Sequence, residues 1–566
     1  MVPTLVGTIF FKLLELMKNF LLTFLILVGL FACKKNEPSP AIVEPFYFTG
    51  ISVDGKIGSV FTDVSTKPII KISFINSVNQ ASANANIILS ETASSKIIPL
   101  DFSFDKNDST VIITPKNALN SILKYSLQVL PDFLSKTNTK LNTNILINLT
   151  TAVDNSDKFP VISDSLLLDL VQRQTFKYFW DFGHPVSGMS RERNSSGDVV
   201  TSGGTGFGIM SIVVGVERKF ITRKQALDRL NTMTDFLKNT AVKYHGAFPH
   251  WLNGATGVTI PFSTKDDGAD LVETSYLMQG LLTARQYFNG NDTDEVLLRT
   301  KINNLWDAVE WNWFTKNQEN VLYWHWSPKY NWDMNFKISG WNEALITYVL
   351  AASSPNFSIS KTVYDEGWAR NGQMKNGKQF YGITLPLGSD LGGPLFFAHY
   401  SFLGINSNIL TDSYANYGTQ NVAHSLINYN YCKANPKKFS GYSENCWGLT
   451  ASDEKNGYSA HEPNNDNGTI SPTAALSSMP YTPKESMQAL RFFYYKLGDK
   501  IWKNYGFVDA FNLTDIWFAD SFLAIDQGPI IIMIENHRSQ LLWKLFMSCP
   551  EVKSGMKKTG FTSPNL

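Results

Sequence analysis

The feature that most constrains this chain is a long series of helical patterns that begins near Ser163 and continues almost to the C-terminus. The first pattern, SDSLLLDLVQRQTFKYFWDF, opens with a Ser/Asp capping signal and keeps apolar residues three and four positions apart. No strand-like alternation separates the patterns, which excludes a TIM barrel and a doubly wound sheet. Further helices are predicted at about 205–219, 222–239, 268–288, 294–314, 340–352, 360–370, 411–434, 471–479, 483–504 and 529–547.

Two all-helical architectures remain for this part of the chain, a helical solenoid and a closed toroid of helix pairs. No short repeat of the ankyrin or tetratricopeptide kind is visible. The predicted helices are joined by long loops dense in Trp, His and acidic residues, and functional residues concentrate on loops that a rigid scaffold holds. We therefore predict a toroid over 160–566 whose loop face forms a cleft.

Residues 46–152 have a different pattern, in which apolar and polar residues alternate. Ile70, Ile72 and Phe74 alternate with polar residues, and polar turns such as DKNDS separate the short segments. Short alternating strands at this spacing predict an antiparallel sandwich. The stretch TVIITPKNALNSILKYSLQVLPDF resembles bacterial Ig-like domains, so a small all-β Ig-like sandwich is expected here, acting as a spacer more readily than as a glycan-binding module.

The N-terminal segment has the features of a secretory signal. From Met17 a lysine precedes an apolar run that is too short for a comfortable membrane span, and Ala32 then stands directly before Cys33. This resembles a bacterial lipobox, so we expect a signal peptide over 1–33, a lipidated Cys33, a flexible linker over 34–45 and a location in the cell envelope. An outer-membrane lipoprotein facing the periplasm or the surface is predicted, and an uncleaved N-terminal anchor is the alternative.

The charge balance narrows the class of partner. The chain has 50 Lys+Arg against 49 Asp+Glu, so no net field attracts nucleic acid, and a neutral substrate fits better. After Cys33 only Cys432, Cys446 and Cys549 remain, which makes neither a disulfide framework nor a zinc motif. Cys432 and Cys446 could bridge or could remain an unpaired buried pair. We expect a monomer without cofactor or metal.

The stretch TKDDGADLVETSYLMQGLL, Thr264 to Leu282, places four carboxylates in eight residues. Asp266 and Asp267 fall where a helix begins, and carboxylates there accept hydrogen bonds from free backbone N–H groups. Asp270 and Glu273 are three residues apart on one helical face that continues into the apolar stripe. An acid on that inward stripe is costly unless it is paired or functional, so Glu273 is the strongest catalytic candidate. The spacing does not match a calcium loop.

Two further stretches carry candidate site residues. In GYSAHEPNNDNGTISPT, Glu462 and Asp466 lie in a turn-rich loop just before a helix start. In LYWHWSPKYNWDMNFKISGWNE, Trp324, His325 and Trp326 offer aromatic faces of the kind that stack on sugar rings, and Glu343 then opens a helix, where capping is its alternative role. Comparable loop groups contain Arg191, Glu192, Arg193 and Asp198; Tyr364, Asp365, Glu366, Trp368 and Arg370; His399 and Tyr400; and Glu444, Trp447 and Asp453.

The helical part resembles the bacterial glycoamylase domain, in particular glycoside hydrolase family 144. The motifs that carry the resemblance span about 170 to 560: TGFGIMSIVVGVERKFITRKQA, DDGADLVETSYLMQGLLTARQYF, WHWSPKYNWDMNFKISGWNEALITYVLAASSP, DNGTISPTAALSSMPYTPKESM and LAIDQGPIIIMIENHRSQLLWKLFM. The resemblance implies an all-α (α/α)6 toroid and an inverting hydrolase without cofactor. It also implies cleavage of β-1,2-glucan to sophorose or short sophoro-oligosaccharides. The resemblance predicts the fold more firmly than the sugar linkage that is cleaved, because the related domain of cyclic β-1,2-glucan synthases shares the fold.

Inversion needs one carboxylic acid to protonate the leaving oxygen and one carboxylate to activate water, about 6.5 to 9.5 Å apart. Glu273 and Asp466 are the pair predicted first, without separate acid and base roles, and Asp267, Glu192 and Glu462 are reserves. The substrate-binding subsites are predicted to contain Arg193, Trp324, His325, Trp326, Glu343, Tyr364, Trp368, His399 and Trp447.

Two other functions are compatible with parts of the pattern. A non-catalytic cell-surface glycan-binding lipoprotein would also have an anchor, a spacer and exposed aromatic residues. A polysaccharide lyase on a similar toroid would need a Tyr/His base and a basic cleft for uronates, and the balanced charge counts against it. Acids clustered beside aromatics favour the hydrolase.

Overall fold

The computed structural model describes residues 44–566. The predicted signal peptide, Cys33 and most of the linker lie outside the described residues. The described chain divides into two compact units, one of residues 44–61, 67–118 and 125–149, and one of residues 62–66, 119–124 and 150–566. Between residues 44 and 566 no helix has the length and apolar character needed to cross a membrane.

The N-terminal part consists of two five-stranded sheets, with strand orders β2-β1-β4-β8-β7 and β3-β10-β9-β5-β6. The alternation seen in the sequence is realised in β4, where Ile70, Ile72 and Phe74 are buried and Lys71 is exposed. The Ig-like classification stays a prediction. The elements are β1 Phe48–Val53, β2 Lys56–Ile57, β3 Val60–Val64, β4 Ile70–Phe74, α1 Gln80–Asn86, β5 Ile87–Glu91, β6 Ile97–Ile98, β7 Leu100–Asp105, β8 Thr110–Pro115, β9 Lys124–Val129 and β10 Ile145–Thr151.

The C-terminal unit is dominated by helices whose ends are capped as the sequence suggests. The Ser163 hydroxyl accepts a hydrogen bond from the Leu166 N–H, and Thr222 with Gln225 forms a capping box. The helices are α2 Asp164–Trp180, α3 Ser202–Glu217, α4 Arg223–Asn239, α5 Leu271–Tyr287, α6 Thr293–Asp307, α7 Leu345–Ser353, α8 Tyr417–Ala434, α9 Pro472–Ser477, α10 Pro483–Arg491, α11 Gly498–Ile501, α12 Ala524–Ser539, α13 Leu541–Met547 and α14 Pro550–Thr559.

Short 3-10 and π-helical turns and small hairpins fill the loops between these helices. The turns are Trp311–Thr315, Val363–Trp368, Arg370–Gly372, Leu395–Ala398, Tyr400–Leu403, Ser407–Ile409 and Phe492–Lys496. The loop strands are β11 Val199–Thr201, β12 Trp251–Asn253, β13 Thr259–Ile260, β14 Ala269–Asp270, β15 Leu322–Tyr323, β16 His325–Trp326, β17 Lys337–Ile338, β18 Gln379–Phe380, β19 Ile383–Thr384, β20 Ala451–Glu454, β21 Gly457–Ala460, β22 Trp502–Lys503, β23 Gly506–Phe507, β24 Phe511–Asn512 and β25 Trp517–Phe518.

The helix predicted over 529–547 is two helices. Gln540, in the left-handed region with φ of 60°, ends α12 and precedes α13. The prediction also began this helix too late, because α12 starts at Ala524 and keeps Pro529 within its second turn. The helix Pro550–Thr559 was not predicted.

Helices α3 and α5 lie at the centre of the helical unit. Both are buried along nearly their whole length, which is why neither shows a one-sided apolar stripe. They approach closely because Gly206 and Gly280 face each other, and a Cβ on either would overlap the backbone of the opposite helix. This contact holds the N-terminal ends of α3 and α5 side by side, and these ends form one wall of the cavity described next.

Candidate active site

A cavity of about 470 Å³ lies among the loops of the helical unit, within the size range of ligand pockets. Three carboxylic side chains line it: Glu192, Glu273 and Glu343. Its walls are otherwise largely aromatic. Ala451 and Ala460 of the β20–β21 hairpin contribute small side chains to the lining. The aromatic lining residues are Trp251, Phe262, Tyr276, Trp324, Phe396, Tyr400 and Tyr458.

Glu273 stands in the first turn of α5 with its carboxylate directed at the start of α3. Its Oε2 accepts a hydrogen bond from the Gly203 N–H at 2.8 Å and from the Thr201 hydroxyl at 3.3 Å. A Cβ at Gly203 would overlap this carboxylate. Burial raises the pKa of Glu273, while His250 and the two hydrogen bonds lower it, so its environment opposes ionisation only in part.

A buried network of two histidines and two aspartates lies next to Glu273. Asp270 caps α5 through the Glu273 N–H, and its other oxygen lies 3.0 Å from His250 Nδ1 and 3.6 Å from His325 Nε2. Burial opposes charge on His250, but Glu273, Asp270 and Asp266 outweigh it and raise its pKa to about 9. His250 is therefore a cation at neutral pH, 4.0 Å from Glu273 Oε1.

The same network brings together the residues that could hold a metal ion. Ligand atoms of His250, Asp266 and Asp270 lie within 4.8 Å of one another. Metal ligation requires a neutral imidazole, whereas the raised pKa of His250 keeps it protonated. Asp270 fits the cationic partner well, because hydrogen bonds from both histidines outweigh burial and hold its pKa below the usual range. In this arrangement the four side chains form a carboxylate–imidazolium network.

Glu343 lies just before α7 and its carboxyl group enters the cavity from the side of Tyr276. The Glu343 carbonyl accepts hydrogen bonds from the Tyr276 and Ser401 hydroxyls, which fixes the local backbone. Burial raises the pKa of the Glu343 carboxyl to about 7, and the charges of Glu273 and Asp270 add to the effect. This group can therefore hold a proton near neutral pH.

The third cavity acid, Glu192, is bound by the neighbouring Arg193. The Arg193 Nε donates to Glu192 at 2.8 Å, and its Nη1 donates to both oxygens of Asp453 at 3.1 Å. Behind this network Asp509 and Asp526 hydrogen-bond each other and are almost fully buried. Burial, followed by the charge of Asp453, raises the pKa of Asp509 to about 7, so this carboxyl pair shares a proton at neutral pH.

Comparison with known proteins places the chain in a family. The endo-β-1,2-glucanase from Chitinophaga pinensis is 52% identical with a TM-score of 0.70, and the match covers 72% of this chain and all of that one. A family profile named Glycoamylase, described as "Putative glucoamylase", matches residues 335–550.

The chain belongs to the glycoamylase-like family.

Two relatives from Parabacteroides distasonis extend this comparison. An exo-β-1,2-glucooligosaccharide sophorohydrolase acting at the non-reducing end is 47% identical over 419 residues, which cover 70% of this chain. The chain spans 58% of the length of that relative. A crystallised β-1,2-glucanase is 38% identical with a TM-score of 0.69 and matches 91% of this chain and 73% of its own.

In this glycoamylase-family protein Asp466 is not the partner of Glu273. Its carboxylate accepts hydrogen bonds from the hydroxyls of Tyr431 at 3.0 Å and Tyr442 at 2.7 Å, and it does not line the cavity. The pairing of Glu273 with Asp466 is therefore wrong. The turn-rich DNGT sequence uses the aspartate to order its own loop, since Asp466 also accepts from the Gly468 N–H.

Two of the three reserve acids also lie outside the cavity lining. Asp267 accepts a hydrogen bond from Ser327 at 2.5 Å, which fixes the loop after β16. Glu462 lies close to Gly393, and burial raises its pKa. Glu192 does line the cavity, and Glu343, predicted as a substrate-binding residue, is there as a carboxyl group.

The predicted aromatic subsites divide into two groups. The first group lies in or near the site. Trp324 and Arg193 line the cavity, and His325 belongs to the histidine–aspartate network beside it. Trp326 packs on Trp313, outside the cavity lining. The remaining four are buried and make structural contacts, so their assignment to substrate binding is wrong: Tyr364, Trp368, His399 and Trp447. Tyr364 donates to Asp412, for example, and His399 hydrogen-bonds Ser478.

Several site residues were not predicted. His250, Trp251 and Phe262 come from the β11–β13 sheet and its flanking loop, where the PHW sequence was the available signal. The Asp509–Asp526 pair was also missed, although Asp526 lies within the recognised motif LAIDQGP. Cys432, Cys446 and Cys549 are all buried free thiols, so Cys432 and Cys446 do not form a bridge.

Proposed function

We propose that this protein is a glycoside hydrolase that cleaves β-1,2-glucan and releases sophorose or short sophoro-oligosaccharides. The observation that carries the proposal is the presence of Glu273 and Glu343 in one aromatic-lined cavity, where burial raises the pKa of both carboxyls and the nearby His250 acts against that rise at Glu273. Two carboxyl groups that face one cavity, one of them beside a cation that favours its charged form, are suited to acid–base cleavage of a glycosidic bond. The activities named for the relatives supply the substrate class.

Glu343 is assigned as the general acid. Its pKa of about 7 lets it carry a proton at neutral pH and deliver that proton to the leaving glycosidic oxygen. The Glu343 backbone is fixed by the Tyr276 and Ser401 hydroxyls, which holds the acid against the substrate.

Glu273 is assigned as the carboxylate that activates water. The Gly203 N–H, the Thr201 hydroxyl and the His250 cation all stabilise its charged form and offset part of the cost of burial, although the pKa of Glu273 stays raised overall. Asp270 acts through His250, because its carboxylate keeps the imidazole protonated and oriented. Direct attack by water activated in this way inverts the anomeric configuration.

The substrate is a neutral sugar chain without cofactor involvement. Trp251, Phe262 and Trp324 provide apolar faces on which sugar rings stack. Phe262 stacks on His250 with ring centroids 4.3 Å apart, so one aromatic group reaches from the mouth of the cavity to the acid–base network.

A direct test is the product profile of the purified protein on linear β-1,2-glucan, followed as new reducing ends and by chromatography of the products. Glu273→Gln is expected to abolish turnover while the thermal unfolding midpoint stays within a few degrees of the wild type. Binding of the glucan without release of reducing ends would show that the protein binds glycans and does not hydrolyse them. An absorbance rise from an unsaturated product would indicate a lyase.

The finer classification follows from the sequence motifs. We propose that the helical unit is an (α/α)6 toroid of glycoside hydrolase family 144 and that the N-terminal strands form an Ig-like spacer. A lipid on Cys33 would anchor a monomeric enzyme in the outer membrane of the cell envelope. Labelled palmitate that is incorporated into the wild-type protein but not into Cys33→Ser would support the lipid anchor. A wild-type protein that incorporates no palmitate would refute it.

A further inference from the structure

A second pocket of about 620 Å³, here called the outer pocket, adjoins the cavity. The two share Arg193 and Tyr458 in their walls, so they adjoin at these side chains. The outer pocket falls in the size range of ligand sites. None of the catalytic roles assigned above uses it.

The β20–β21 hairpin connects the two spaces along one face. Ala451 pairs with Ala460, and both line the cavity, while Asp453 pairs with Tyr458 two residues further along. Residues two apart in a strand lie on the same face of the sheet. The face therefore runs from the cavity at the alanine pair to the outer pocket at the Asp453–Tyr458 pair, as a surface for a linear chain would.

The side chains of the outer pocket match a neutral polyhydroxyl ligand. Trp517 and Phe518 on β25 are half-buried and line it, and within residues 44–566 no other aromatic ring stacks on Trp517. Asn194, Asp453 and Ser521 also line it, and their polar groups are held in place by hydrogen bonds within the protein, from Ser521 to Asp453 and from Asn194 to the Asp520 carbonyl.

An anionic ligand is disfavoured in this pocket. The guanidinium of Arg193 is already neutralised by Glu192 and Asp453, both within 3.1 Å. Asp520 and Glu454 add negative charge against the single cation of Lys455. The pocket lining therefore carries more acidic than basic side chains, which disfavours a phosphate or a uronate.

We propose that the outer pocket is a further sugar-binding subsite, in which Trp517 stacks on glucosyl units of the same substrate chain that extend past Arg193 from the cleavage site. This inference rests on the proposed function, because it assigns the ligand as the β-1,2-glucan chain. It makes Trp517 a determinant of chain-length preference, separate from the residues of the chemical step.

The test is calorimetric titration with β-1,2-linked glucose oligomers of three and of six units, in a Glu343→Gln background that prevents consumption of the ligand. The six-unit oligomer is expected to bind about tenfold more tightly than the three-unit oligomer, since a buried tryptophan contact is commonly worth at least that much. Trp517→Ala should remove the gain. Trp517→Phe should retain most of it, which separates stacking from folding.

Trp502→Ala is the matched control, because Trp502 is also half-buried, packs on Tyr494 and Phe507, and lines neither pocket. Thermal unfolding of each variant shows that it is folded. No gain with chain length, or a gain that survives in Trp517→Ala, overturns the subsite even when the wild-type protein hydrolyses glucan normally. A gain that depends on Trp517 in a protein without turnover supports the subsite and refutes the hydrolase.

Discussion

Replacement of Glu343 by glutamine tests the central assignment of this enzyme, the general acid. The pKa of Glu343 rises from 4.5 to about 7 through burial and the nearby charges of Glu273 and Asp270. At pH 7 roughly half of the molecules therefore carry the catalytic proton, against well under 1% for an ordinary carboxyl. Glutamine fills the same space without a transferable proton, so kcat/KM on linear β-1,2-glucan is expected to fall by about 10²- to 10⁴-fold.

The assay compares two substrates across pH. On the glucan, wild-type kcat/KM is expected to decline above pH 7 and to approach a tenfold loss per pH unit, because the acid must be protonated to act. Cleavage of an aryl β-sophoroside with a good leaving group does not require protonation of the leaving oxygen by Glu343. Glu343→Gln should therefore retain most of the wild-type rate on that substrate, without the alkaline decline.

Glu444→Gln serves as the control, because Glu444 is an exposed carboxylate paired with Lys433 away from the cavity. It should leave both substrates and the pH profile unchanged. An equal loss on the glucan and on the aryl sophoroside would refute the reasoning, since it would show that Glu343 does not supply the leaving-group proton. A decline of kcat/KM above pH 7 that persists in Glu343→Gln would also refute the reasoning.

Three further predictions address the surroundings of the site. Gly203→Ala places a methyl group against the Glu273 carboxylate. The value of kcat/KM should therefore fall by about 10²-fold, while the thermal unfolding midpoint stays near normal. Unchanged activity would contradict the role of this close approach. Trp324→Ala removes an apolar wall and should raise KM by about tenfold with a smaller change in kcat, as measured by initial rates; a pure kcat loss would argue against a binding role. In urea unfolding, the stability of Asp509→Asn relative to the wild type should rise by about 2 to 3 kcal/mol from pH 5 to pH 8. The reason is that the pKa of Asp509 is raised from 3.8 to about 7, so the wild-type fold loses stability as pH rises through that range; a difference independent of pH would contradict it.

Local sequence patterns were sufficient for the elements that depend on local chemistry. The capping signal at Ser163 starts α2 as predicted, and α4 lies within the helix predicted over 222–239. Patterns failed where a residue has two chemically reasonable uses. Asp466 in a turn-rich loop is equally suited to catalysis and to loop ordering, and only the positions of Tyr431 and Tyr442 decide for the second.

Dense aromatic loops were ambiguous for the same reason. Trp324 lines the cavity, whereas Trp368 and Trp447 are fully buried, although all three stand among polar residues in the sequence. A tryptophan stabilises a core and binds a sugar through the same apolar surface, so its neighbours along the chain do not reveal which it does. Burial depends on contacts between residues far apart in sequence.

The sequence by itself determined the helical class of the C-terminal unit, the alternating strands before it and the choice of Glu273 as a candidate, because periodicity, capping and the presence of an acid in a helical pattern are local properties. Tertiary structure alone brings Glu343 into the same cavity as that acid. Glu343 lies 70 residues after Glu273, and its proton affinity comes from burial beside Glu273 and Asp270 and not from its own neighbours in the chain. Only folding creates that environment, since desolvation and the approach of distant charges do not exist in the extended chain.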